Sequence, residues 1–176
     1  MTTQNPTIVS RGWMRFALTV VTLAIAFVCA VTPGFSSPRA ASRGLRTCGS
    51  AVQKETLPIW ARAGFHPPTV QVPHVLGRSG AIVAILFAYP LKAPPPPNHN
   101  DKILWVSRLP FTWRATLRIS AQRMNGTRLL GAPVQTNIKG GPGPSAVNLT
   151  TPGCWRFSLR WAGHTDSLDL LYRPLR

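Results

Sequence analysis

The apolar positions of the chain fall into three stretches of different character. The first is an unbroken run, FALTVVTLAIAFVCAV, from Phe16 to Val31, which carries no charge and follows Arg11 and Arg15. A basic segment leading into an apolar one is the pattern of an export signal. A buried helix of a globular domain would keep a polar side, and this run has none. It is somewhat shorter than the roughly 20 residues a spanning helix needs. Val28-Cys29-Ala30 provides side chains that suit signal peptidase cleavage after Ala30. Residues 1–30 are therefore expected to form an apolar helix, either a cleaved signal peptide or a retained membrane anchor. Arg39, Arg43 and Arg46 follow the run and, counted under the positive-inside rule, point to a cytoplasmic C-terminus. The cysteines, below, point to export.

Residues 31–50 are rich in Pro, Gly, Ser and Arg without periodicity and read as a flexible spacer. From residue 51 onward the pattern is that of strands. Ala51 to Gly64 allows a short helix or an extended arm, and FHPPTVQVP (65–73) is too punctuated by proline for more than an edge strand. Ala81 to Leu91 is a long β-branched and aromatic run that predicts a central strand buried on both faces. Pro94 to Pro97 with Asn98-His99-Asn100 forms the turn after it, and Lys102 to Leu109 a second strand. Between Trp113 and Met124 the residues alternate. Trp113, Ala115, Leu117, Ile119 and Ala121 share one side, Arg114, Thr116, Arg118, Ser120 and Gln122 the other. Asn125-Gly126 is a turn signal, and Val134 to Ile138 is a weaker strand.

The last hairpin is the clearest. Trp155, Phe157, Leu159 and Trp161 share the apolar face, Cys154, Arg156, Ser158 and Arg160 the polar one, and Leu168, Leu170 and Tyr172 continue the core in the partner strand. A two-residue turn at Gly163-His164 and a four-residue loop setting Arg160 opposite Asp169 are both compatible with the pattern. About seven short alternating strands predict an all-β domain over residues 51–176, an immunoglobulin-like antiparallel β-sandwich.

Composition narrows the chemistry. Twenty Lys and Arg stand against four Asp and Glu, a formal charge of +16 over 176 residues. Carboxylate-built metal sites and paired-acid glycosidase sites become improbable with only Glu55, Asp101, Asp166 and Asp169 to build them. An apolar fraction of 44% excludes a disordered basic tail, and 18 Pro with 14 Gly weigh against a helical bundle. Outside the apolar run Cys48 and Cys154 are the only cysteines, and in an exported domain an even pair reads as one disulfide. Zinc-ligand spacing is absent, as are a nucleophile elbow and a phosphate-binding loop, so neither a metal nor a cofactor is expected. His99 with Asp101 and His164 with Asp166 are the one alternative, an envelope hydrolase or metal-dependent enzyme, but such residues are common in turns for backbone reasons alone.

The segments LPIWARAGF, GAIVAILFAYPL with DKILWVSRL, and PGCWRFSLRW followed by DSLDLLY resemble a group of exported actinobacterial proteins of uncharacterised function. The Pro-Gly-Cys-Trp-Arg strand is the most distinctive part. The resemblance implies a secreted or envelope location and a compact β domain, and it brings no activity, ligand or catalytic residue. The surviving candidate is a basic face. Arg114, Arg118, Arg156 and Arg160 lie opposite the core in this strand phase and would give a band of positive potential. Nucleic acid is not the expected partner, because the tryptophans alternate away from the arginines and leave no stacking platform. A membrane surface or an anionic envelope polymer is the expected one, with a solvated arginine-rich face as the plain alternative.

Overall fold

Alternation of apolar and polar residues fixes which face of each strand is buried, and the computed structural model of the chain follows it closely over the residues it describes, 48–66 and 70–175. The expected apolar helix (1–30) and nearly all of the spacer lie outside the described residues. Among those described, no helix is long and apolar enough to cross a membrane.

The described residues form an all-β structure. Its strands are β1 (His74–Leu76), β2 (Ile82–Leu86), β3 (Lys92–Ala93), β4 (Lys102–Ser107), β5 (Thr116–Asn125), β6 (Arg128–Lys139), β7 (Pro144–Ala146), β8 (Gly153–Trp161) and β9 (His164–Pro174). They make a four-stranded sheet in the order β1-β2-β4-β7 and a five-stranded sheet in the order β3-β9-β8-β5-β6. All pairings are antiparallel except the short one between β3 and β9.

The two sheets enclose one core. Ile82, Ala84, Ile103 and Trp105 from the smaller sheet meet Leu117, Ile119, Phe157, Leu159, Trp161, Leu168 and Tyr172 from the larger. Polar atoms of the large side chains are satisfied across the gap: Trp161 Nε1 donates to Ser107 Oγ at 3.0 Å, and the Tyr172 hydroxyl donates to the Val147 carbonyl at 2.9 Å. A second cluster lies on the far side of β2, where Val83 and Ile85 pack against Leu57 and Ala61. The arm bearing those two residues crosses the outer face of the small sheet. It has a single 3-10 turn at Ile59–Ala61 and is tied by isolated bridges Gln53↔His74 and Thr56↔Gln71. Thus β2 is buried on both faces, as its unbroken apolar run predicts.

Three expectations need correction. The run Ala81 to Leu91 is not one strand: β2 stops at Leu86, the chain turns through Phe87–Pro90, and Lys92–Ala93 joins the other sheet. Proline has no N–H to give the ladder, so a strand cannot run on through Pro90 in mid-sheet. The strand foreseen at Val134 to Ile138 is instead the 12-residue edge strand β6, interrupted opposite Gln122 by a register shift. The β8–β9 hairpin has neither expected register. Trp161 faces His164, leaving Ala162-Gly163 as the loop, both with positive φ (45° and 81°), and Arg156, not Arg160, stands opposite Asp169. Positive φ at both loop residues is a type I′ turn, whose twist matches that of the strands.

Candidate basic surface site

The outward-facing residues of the five-stranded sheet fall into ranks fixed by strand register. One rank runs Asn137, Arg118, Arg160, Thr165 across β6, β5, β8 and β9. The next holds Gln135, Ser120, Ser158 and Ser167, and a third Gln122, Arg156 and Asp169. Arg118, Arg156 and Arg160 therefore share one face of one sheet. Arg114 lies just before β5 in the turn that closes with Ala115 N–H donating to the Thr112 carbonyl at 2.9 Å.

The structure gives these arginines two different roles. Arg156 grips Asp169 in a fork, Nε to Oδ1 at 2.9 Å and Nη2 to Oδ2 at 3.2 Å, while Arg78 Nη2 reaches Oδ2 at 2.8 Å. Asp169 is only 1% exposed, covered by the arm at Gly49 and Ser50, whose Oγ accepts from Asp169 N–H. Burial pushes the Asp169 carboxyl up, but the hydrogen bonds and charges of Arg156 and Arg78 outweigh it and hold the group below the ordinary carboxylate range. The same hydrogen bond raises Arg156. Arg156 is thus a structural ion-pair partner rather than a free cation.

Arg118 and Arg160 face each other directly across β5 and β8, both exposed, and with Arg114 they form no ion pair among the described residues. Directly opposed like charges disfavour a sheet, and side chains so placed have Cβ atoms about 5 Å apart. Arg114, Arg118 and Arg160 line an open hollow of about 500 Å³ with Thr116, His164 and Thr165. Arg118 and Arg160 also border an adjoining hollow that reaches Ser120, Gln135 and Ser158.

No carboxylate offsets this charge, and the reason is burial. Asp101, Asp166 and Asp169 are all buried, which leaves Glu55 as the one exposed acidic side chain of the sequence. Asp166 accepts the backbone N–H groups of Ser79, Ala81 and Ser167 and so pins the β1–β2 turn to β9. Asp101 Oδ1 accepts from Lys92 N–H at 3.1 Å, but Oδ2 is buried without a partner. Burial raises the Asp101 carboxyl above its usual range, only partly countered by the Lys92 bond.

The imidazole–carboxylate pairs do not converge. His99 and Asp101 precede β4, with the exposed His99 ring against the Pro97 carbonyl. His164 bonds the Pro110 carbonyl beyond the other end of β4, some 20 Å along a strand of that length. Among the described residues no three His, Cys, Asp or Glu gather as a metal site would require.

Trp113 breaks the expected phase. It lies before the start of β5, is 76% exposed, and stacks under the Arg114 guanidinium at 5.0 Å, so it belongs to the basic face and not to the core. The alternation that placed it inward holds only from Leu117 on, where strand pairing enforces it. Cys48 and Cys154 do form a disulfide, with Cα atoms 5.4 Å apart at a sequence separation of 106, bonding the arm to the start of β8. Comparison of the chain with protein-family models, with curated proteins and with solved structures finds no match.

Proposed function

We propose that this protein is a non-enzymatic, exported or membrane-tethered component of the cell envelope, built as an immunoglobulin-like β-sandwich, that holds to anionic surfaces through Arg114, Arg118 and Arg160. Strand order supports the fold assignment. The series β9-β8-β5-β6 corresponds to strands G, F, C and C′ of a variable-type sandwich, and β2-β4-β7 to A, B and E. A D strand beside β7 is missing among the described residues, and β1 is added at the opposite edge. The Cys48–Cys154 disulfide accords with an oxidising compartment, as does the apolar run at Phe16 read as an export signal.

The observation that carries the functional reading is the directly opposed pair Arg118 and Arg160, exposed and without a carboxylate. A fold does not maintain such a repulsion for its own stability, whereas a ligand with negative charge relieves it. Attraction to acidic lipid is worth about 1 kcal/mol per basic residue and fades within a Debye length of about 10 Å at 0.1 M salt. Three arginines then give weak, salt-sensitive adhesion without a deep pocket. The test is co-sedimentation of the chain from Thr47 onward with neutral and anionic vesicles at increasing ionic strength. Binding to anionic vesicles alone, released by salt and reduced at least tenfold in R114Q/R118Q/R160Q, is the expected result. Equal binding to both vesicle types, or no effect of the triple substitution, leaves an arginine-rich face with no ligand.

A further inference from the structure

We propose that the β4–β5 connection is an interfacial anchor: Trp113 beds at the headgroup level of an anionic phospholipid bilayer while Arg114, Arg118 and Arg160 take the lipid phosphates. This deepens the reading above by choosing the bilayer over a soluble anionic polymer, and it rests on that reading. The starting point is a large side chain in the wrong place for stability. Trp113 is 76% exposed on a domain whose other described tryptophans, Trp60 apart, are buried in the main core.

The exposure is built into the loop rather than left over from poor packing. Phe111, two residues earlier, lies against Gly141, where a Cβ would overlap the ring and where φ is +91°. Only glycine suits both conditions. His164 holds the Pro110 carbonyl from the β8–β9 turn, and the Thr112–Ala115 hydrogen bond closes the tip. Arg114 covers one face of the Trp113 indole at 5.0 Å and leaves the remainder open. The loop is therefore fixed on both flanks, with its indole held outward and its cation beside it.

A tryptophan ring has an apolar body and one polar N–H, and that combination favours the bilayer interface over either water or hydrocarbon. Here it lies against Arg114, which with Arg118 and Arg160 lines a hollow whose basic residues lack carboxylate partners among the described residues. Basic side chains beside an exposed aromatic are what surface-bound proteins present to acidic lipid. A soluble polyanion would engage the arginines but gives the indole no apolar layer to enter. A nucleic-acid strand needs successive rings for stacking, and here Trp113 is the one mostly exposed ring, the nearby Phe111 being turned against Gly141 and only 39% exposed.

The experiment uses the full chain reconstituted into vesicles of phosphatidylcholine, alone or mixed with phosphatidylglycerol, carrying brominated acyl chains. Fluorescence lost in the wild type but not in Trp113→Phe isolates this indole. Trp113 should be quenched by at least half in the anionic vesicles and little in the neutral ones, with the quenching abolished in R114Q/R118Q/R160Q. If Trp113 stays unquenched while vesicle sedimentation of the segment from Thr47 still depends on the arginines, the surface-contact reading stands and the anchor is wrong. Equal quenching in neutral vesicles overturns the phosphate contacts. A Trp113 signal that responds to single-stranded oligonucleotide and not to vesicles overturns the proposal in favour of nucleic acid.

Discussion

Whether a carboxylate reaches an arginine decides what that arginine does in this molecule. Arg156 lies against a buried Asp169, so removing its guanidinium leaves a desolvated charge with Arg78 alone. Arg156→Met is expected to cost about 3 kcal/mol in urea unfolding, the lower end for a broken buried pair because Arg78 remains. Arg118→Met and Arg160→Met should change stability by less than about 0.5 kcal/mol, and toward greater stability, since each removes a like-charge neighbour. Equal costs at all three positions would contradict the division of roles. The two buried acids act in opposite directions with pH. Asp169 is depressed, so its contribution is present above the unfolded value of about 3.9 and lost as pH falls through the folded one. Asp101 is raised, so the native state binds its proton more tightly, and stability declines as pH rises from about 3.9 through the folded value. Asp101→Asn retains an acceptor for Lys92 and places a neutral group at the unpartnered oxygen. Thermal unfolding should show a higher midpoint than wild type at pH 7 and no gain below about pH 4; a lower midpoint at pH 7 would refute this.

At the scale of elements, the β8–β9 hairpin carries much of the core and has one weak point. Trp161 is 2% exposed and hydrogen-bonded to Ser107, so Trp161→Ala should cost roughly 3–5 kcal/mol. Ala162 holds φ 45°, a conformation that asparagine adopts more readily than alanine. Ala162→Asn creates the Asn-Gly pair that type I′ turns favour, and is expected to raise stability by about 0.5–1 kcal/mol in denaturant titration. A loss would show that the turn is of another type. The alternating faces of β5, β8 and β9 were legible in the sequence because one side of each is buried and the side-chain period is two. The hairpin register was not, because alanine gives no signal of positive φ and the adjacent Gly163-His164 is itself a plausible turn. The short strands β1, β3 and β7 leave no mark in the pattern for a related reason: two or three residues are too few to show a period. Trp113 escapes the pattern because alternation constrains a side chain only where strand pairing holds, and pairing begins at Thr116.

For the whole molecule, the deciding feature is where the few acids go. A composition with four acidic residues gives a positive protein wherever they lie, but burying three of them makes the exterior almost purely basic. The sequence revealed the excess; the burial depends on contacts from distant segments, such as Gly49 and Arg78 on Asp169, that no local pattern encodes. The disulfide closes a loop of this length at a chain-entropy value of about 4–5 kcal/mol. Cys48 and Cys154 should therefore resist alkylation until reductant is added, and reduction should lower the unfolding free energy by a few kcal/mol. Free thiols at both positions in the oxidised, native protein would remove the pair. The surface-contact account is tested most directly by locating the contact. The chain from Thr47 onward, bound to anionic nanodiscs that carry a gadolinium-chelating lipid, can be followed through the broadening of its amide signals. Broadening concentrated at Trp113–Ser120 and Ser158–Thr165, on the outer face of the five-stranded sheet, is the predicted result. Broadening that is uniform, or centred on residues 50–66 across the opposite sheet, would contradict it.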